Sequence, residues 1–298
     1  MVIIGDEERA FFEEHGYVKL EGIVPEKLCD RVIDDVWRCL GGDRDNPDTW
    51  YDPPDGLDEP FSASGMIELY HTQAMWDIRQ HPRVYQAYVE LLGIERLWVS
   101  LDRVNVTPPR REAHPEFDAG FVHWDVDTSD LPEIEVQPGG TELVPYGVQG
   151  VVYLEETSTE QGGFCCVPEL YRDLETWVQT QPDDRNPRSP DLEGYEVEFI
   201  PGKQGDLVIW DRLLAHGNGS NDADTPRYAQ YVLMSPERFA DTDAREERIA
   251  GWRQRTAPSG GAFPGDPRGW EHGRPPADLT PLGRKLLGHE PWAGWLDD

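Results

Sequence analysis

Lysine is almost missing from this chain. Of 27 basic residues only four are lysines (Lys19, Lys27, Lys203 and Lys285), and the 27 face 58 acids, for a formal net charge of −31. Such a chain repels polyanions, so nucleic acid and anionic membrane are not expected partners. The deficit has two readings: adaptation to concentrated salt, or the arginine-favouring codons of a GC-rich genome. Long apolar runs are missing as well, so no membrane span is expected. The N-terminal "MVIIGDEERAFFEEHG" has no basic region and turns acidic at once, unlike a signal peptide. Cysteine is scarce: Cys29, Cys39, Cys165 and Cys166 show no CxxC spacing. Cys165 and Cys166, if in a strand, point to opposite faces, which argues against a bond between them. A reduced, cytoplasmic protein is expected.

What is present changes texture partway along. The 298 residues suit one large domain with a substantial core, and no internal repeat divides them. Residues 1–93 read as mostly helical. An acid-rich first turn opens "DEERAFFEEH", Gly16 ends it, and "YVKLEGI" alternates like a short strand. Leu28, Val32, Ile33 and Val36 then mark a second helix, residues 41–62 form a Gly/Pro/Asp loop, and "MIELYHTQAMWDIRQ" and "PRVYQAYVELLG" read as helical. From Leu97 to Val106 the apolar residues alternate at period two. Further short strands are expected at 120–126, 147–154, 163–168, 194–200, 206–210 and 228–234. Helices followed by many short strands, without βαβ alternation, predict a mainly β protein with flanking helices: a jelly-roll core over 94–240, with an irregular tail over 241–298 in which only "TPLGRKLLG" looks helical.

Chemistry concentrates in "FVHWDVDTSD", 121–130. A strand aims His123 and Asp125 the same way, which suits either a polar strand face or a shared metal. A second stretch shifts the balance. "GDLVIWDRLLAHGNGSNDADTPRYAQYVLM", 205–234, carries His216 at a strand end and Arg227 in a strand among Tyr228, Tyr231, Val232 and Leu233. An arginine in such bulk has either an outward, solvated position or a specific anion to meet. Two histidines and one carboxylate leave half an octahedron open, the arrangement of non-haem Fe(II) oxygenases. Two open positions would take a bidentate 2-oxo acid and the third O2. Arg103 and Asn105 are candidates for substrate or cosubstrate contact or, equally, for a structural ion pair inside the barrel. Trp124 and Trp210 flank the ligands and read as wall or core residues, with substrate contact the lesser alternative.

Over most of its length the chain resembles the phytanoyl-CoA dioxygenase family of Fe(II)/2-oxoglutarate oxygenases. The matching text is "FFEEHGYVKLEGIVPEKLCDRV", "PRVYQAYVELLG", "VHWD", "VQGVVYLEETSTEQGGFCCVPELYR" and "GDLVIWDRLLAHGNGSN" with the later Pro-Arg. The resemblance implies a double-stranded β-helix, with His123, Asp125 and His216 as iron ligands and Arg227 paired with the C5 carboxylate of 2-oxoglutarate. By the same resemblance Asn218 takes a position that often reaches the cosubstrate, and Gln149 or Val151 lies near another. The implied reaction is hydroxylation of a small organic substrate, with release of succinate and CO2. Asp125 favours hydroxylation over halogenation, whose enzymes carry alanine or glycine there. The chain departs from the family where PGSH is common: it reads Pro168-Glu169-Leu170-Tyr171, in a region that shapes the substrate side. An insertion at 129–146 is a candidate lid. A metal-dependent hydrolase or isomerase on the same scaffold is the alternative, and it needs neither oxygen nor Arg227.

Overall fold

The computed structural model describes residues 2–51, 65–117, 120–129 and 136–292. Part of the 41–62 loop and residues 130–135 of the 129–146 insertion lie outside them.

Helix α1 (Asp6–His15) starts on three acids, which suit the positive end of the helix dipole, and ends at Gly16 in the left-handed conformation, φ 75°. Strand β1 (Tyr17–Leu20) leads to α2 (Glu26–Leu40), whose Cys29, Val32, Ile33, Val36 and Leu40 are buried on one face. Leu28, expected on that face, is only partly buried at its margin.

The next segment corrects the sequence reading. Residues 66–72 are not helical: Met66–Ile67 form β2, and α3 (Gln73–Arg79) begins only after Thr72, whose hydroxyl accepts from the Met75 amide. Pairing of β2 with the later strand at Asn105 and Val104 supplies those backbone groups with partners outside a helix. α4 (Pro82–Leu92) follows as expected.

The run from Leu97 to Val106 is two strands, β3 (Leu97–Val99) and β4 (Val104–Thr107), in different sheets. Both faces of β3 are buried, Trp98 included, because the tail covers the face that alternation left to solvent. The remaining strands are β5 (Phe121–His123), β6 (Val148–Tyr153), β7 (Phe164–Cys166), β8 (Glu198–Phe199), β9 (Leu207–Asp211), β10 (His216–Asn218), β11 (Arg227–Tyr231) and β12 (Met234–Pro236), with α5 (Pro168–Thr180) after β7. The expected strand at 228–234 is broken at Val232 and Leu233, where β11 hands over to β12 and the chain changes sheet.

Antiparallel pairing gives a six-stranded sheet ordered β1-β9-β6-β11-β4-β2, a four-stranded sheet ordered β5-β10-β7-β8, and the β12-β3 pair. Val151, Tyr153, Val208, Trp210 and Ala229 of the first sheet pack with Phe164 and Cys166 of the second in one buried cluster. The helical N-terminal third therefore also contributes edge strands to the large sheet.

The tail is more regular than its sequence suggested. Residues 242–254 form α6 (Thr242–Gln254), and α7 (Pro281–Leu287) matches "TPLGRKLLG". No residue of α6 is fully buried, so it shows no apolar stripe. Ile249 and Trp252 pack against the core at its margin, and polar contacts anchor the helix further: Arg248 to backbone carbonyls of Val99, Leu286 and Leu287, and the Trp252 indole to the Ala277 carbonyl. Among the described residues no helix is long and apolar enough to cross a membrane, and all four cysteines are buried and unbonded.

Candidate metal centre

Strand β10 lies between β5 and β7, and its register sets His216 directly opposite His123. Asp125 follows β5 by two residues, on the same side as His123. The approach of the two strands depends on Gly217: a Cβ there would sit 1.8 Å from the Phe121 carbonyl oxygen. One ligand atom from each of His123, Asp125 and His216 lies within 4.8 Å of the others. The histidine Nε2 atoms each stand 3.5 Å from an Asp125 oxygen, and the rings are 4.9 Å apart.

The surrounding groups orient this set. His216 Nδ1 lies 2.9 Å from the Leu214 carbonyl, to which it donates, so Nε2 is left to bind. Trp210 donates its indole N–H to Gln149, and Gln149 donates to Asp125 Oδ2 at 2.6 Å. Desolvation would raise the Asp125 carboxyl, but hydrogen bonding to His123 and His216, the charge of His216 and the Gln149 amide outweigh it and hold the group far below the usual carboxylate range. The centre is an anionic oxygen and two imidazole nitrogens facing one point.

That point opens onto a cavity of about 940 Å³. Of the residues singled out from sequence, His123, Asp125, His216, Gln149, Val151, Asn218, Trp210 and Arg103 line it. Arg103 is ion-paired to Glu68 at 2.7 Å and its guanidinium lies over Phe263. Trp124 does not belong to the wall: its indole donates to the Leu213 carbonyl and its ring packs against Trp177 in the core.

Arg227 and Asn105 lie one layer behind the wall. Arg227 is buried, and it donates to Gly162 O, Asn218 Oδ1, Asn105 Oδ1 and Thr107 Oγ1 at 2.7–3.1 Å. All four acceptors are neutral. Among the described residues no carboxylate pairs with this guanidinium, and its Nε is enclosed without a partner. Burial pushes its pKa down. A fully desolvated cation with no counter-charge, screened from the cavity by Asn218 and Tyr231, is what an incoming carboxylate would neutralise. The donor set thus fits a divalent metal, and the arginine behind it fits a dicarboxylate chelate.

Sequence reasoning missed much of the opposite wall. Arg212 lines the cavity with no hydrogen-bond or ion-pair partner on its side chain among the described residues, close enough to Asp125 for that charge to act on it. Leu233, Arg238, Glu247, Arg248, Ala262 and Phe263 also line it. Most of these come from the tail, where no spacing ties them to the ligands.

Three comparisons bear on this geometry. The family model described as phytanoyl-CoA dioxygenase matches residues 12–229. A Dictyostelium discoideum protein named "Putative phytanoyl-CoA dioxygenase" is 21% identical over 259 residues, 76% of this chain and 74% of that protein. Among solved structures, a hypothetical protein from Escherichia coli superposes with a TM-score of 0.65 at 17% identity, covering 96% of this chain and 82% of its own. The epimerase SnoN, in complex with Fe3+, alpha ketoglutarate and nogalamycin RO, gives 0.51 at 14% identity, covering 78% and 83%.

Proposed function

The chain belongs to the phytanoyl-CoA dioxygenase family, and from that premise we propose that it is a non-haem Fe(II)/2-oxoglutarate-dependent dioxygenase on a single double-stranded β-helix domain. It hydroxylates a small organic substrate: 2-oxoglutarate, O2 and a C–H bond become succinate, CO2 and a C–OH bond. The observation that carries this reading is the pairing of an open two-histidine, one-carboxylate centre with a buried, uncompensated arginine beside it.

Each residue has a part. His123, Asp125 and His216 would hold the iron, which when bound supplies oxygen activation and positions the 2-oxo acid. The Leu214 carbonyl fixes the His216 tautomer, and Gln149, itself held by Trp210, fixes the Asp125 carboxylate. Arg227 would take the far carboxylate of the cosubstrate, with Asn218 yielding one of its hydrogen bonds. Trp210 and Phe164, beside His216, and Val151 give the cavity an apolar lining, which would strengthen the ion pair by excluding water. The epimerase SnoN, in complex with Fe3+ and alpha ketoglutarate, is a protein of similar fold that holds iron and the same cosubstrate.

The test is anaerobic titration of 2-oxoglutarate into the Fe(II) protein. A weak visible charge-transfer band should appear, and air should then release succinate. Substrate turnover without oxygen, and no band, would favour the hydrolase or isomerase alternative.

A further inference from the structure

Besides Arg227 and Arg212, one more arginine at the cavity has no ion-pair partner among the described residues. Among the four cavity arginines, Arg103 is paired with Glu68, Arg238 faces Asp241 at 3.8 Å, and Arg212 lies in the field of Asp125. Arg248 has no ion pair among the described residues. It projects from α6, beyond the family match at 229, and lies over the Trp98 ring at 4.8 Å. Nε donates to Leu287 O at 3.0 Å, and Nη2 to Val99 O at 2.6 Å and Leu286 O at 3.1 Å. Among the described residues Nη1 has no partner, and it is not among the enclosed orphan atoms.

Three carbonyls from two elements fix this guanidinium without neutralising it. Burial, then the nearby Arg238 and Arg79, push its pKa down to about 9, and Glu247 only partly opposes them. Glu247 is itself exposed and accepts from the Ser259 amide. A rigid cation held at the cavity wall with one edge free is preorganised for an anion. A single free guanidinium edge matches one planar carboxylate in a bidentate pair.

We propose that the substrate is an organic acid whose carboxylate is met by Arg248, making this residue a determinant of substrate specificity. The inference rests on the oxygenase reading and adds the substrate class.

The test uses the anaerobic Fe(II)·2-oxoglutarate enzyme, titrated with linear and aromatic carboxylic acids and with the carboxamide and phosphonate analogue of each. The readouts are perturbation of the charge-transfer band and succinate release in air. Some acids should act at about tenfold to a hundredfold lower concentration than their amides, the worth of a hydrogen bond to a charged group. Arg248→Gln should erase that preference and Arg248→Lys should keep part of it, while the 2-oxoglutarate titration stays unchanged in both. The wild-type acid-to-amide ratio needs no variant, so it holds even if Arg248→Gln loosens α6. No acid preference in the wild type, a preference for phosphonates, or an equal preference in Arg248→Gln overturns the proposal. Absence of the band in the wild type would overturn the oxygenase reading instead.

Discussion

Two regions of this protein hold buried histidine beside arginine and carboxylate, and they differ in what is left over. Around His71 both ring nitrogens and the neighbouring carboxylate are used. Its Nε2 donates to Thr256 O, its Nδ1 accepts from the Trp76 indole, and Glu271 accepts from the Tyr70 and His71 amides while pairing with Arg255 at 3.1 Å. Burial, the main cause, and the nearby Arg79 push the His71 pKa down to about 3, so the ring is neutral. This region fastens the tail to α3. Around His216 the accounts do not close: Nδ1 is tied to Leu214 O, Nε2 and His123 Nε2 share Asp125, and Arg227 meets only neutral oxygens. What separates the two regions is the counter-charge: Arg255 has Glu271, and among the described residues Arg227 has no carboxylate.

The largest break in that comparison should come from Asp125→Ala, which removes the proposed anionic ligand. Iron affinity should fall on the order of a hundredfold or more, beyond the loss of an outer-shell partner, and hydroxylation should collapse. Chloride in the vacancy should not produce a halogenase, because the substrate must also be held off the hydroxyl path. Full hydroxylase activity would remove Asp125 from the ligand set.

Next in size is Arg227→Ala. If the guanidinium awaits the C5 carboxylate, its loss leaves that charge buried and alone, at a cost of about 3–5 kcal/mol. The apparent KM for 2-oxoglutarate should rise on the order of a hundredfold or more, with iron binding near wild type and partial recovery in Arg227→Lys. Unchanged cosubstrate binding would make Arg227 as structural as Arg255.

The closed region should answer to pH. His71 has a folded pKa of about 3 and an ordinary value of 6.5. Its contribution to stability is complete above the unfolded value and is lost as pH falls from 6.5 towards 3, where the unfolded chain binds the extra proton. Denaturant melts at stepped pH should show a wild-type slope steeper than that of His71→Gln by up to about 1.4 kcal/mol per pH unit. Parallel slopes would show that the His71 ring is not held neutral.

The smallest effect should come from salt. Self-repulsion of the acidic surface falls with screening, whereas the buried arginines of both regions are insulated. Under the high-salt reading the melting temperature climbs steadily from low to molar potassium chloride. A flat curve leaves codon bias as the reason for the missing lysines.

Much of the site was legible because its parts are local. His-x-Asp shares one side of a strand by backbone geometry alone, and Gly16 ends α1 where a left-handed residue was needed. The errors fell where a partner distant in sequence chose the conformation. Met66 and Ile67 read as helix but pair with β4, and α6 has no apolar stripe because carbonyls of β3 and α7 hold it through Arg248. Trp124 and Trp210 looked equivalent beside their ligands, yet one packs in the core and the other lines the cavity.

By itself, then, the sequence determined the charge, the short-strand texture, the residue types of the candidate metal centre and their spacing, since period and composition are properties of neighbours along the chain. Only the tertiary structure decided that His216 stands opposite His123, that no carboxylate among the described residues pairs with Arg227, and that the tail lines the cavity with Arg248. Register, desolvation and the presence or absence of a counter-charge arise from residues far apart in the chain, and no local pattern encodes them.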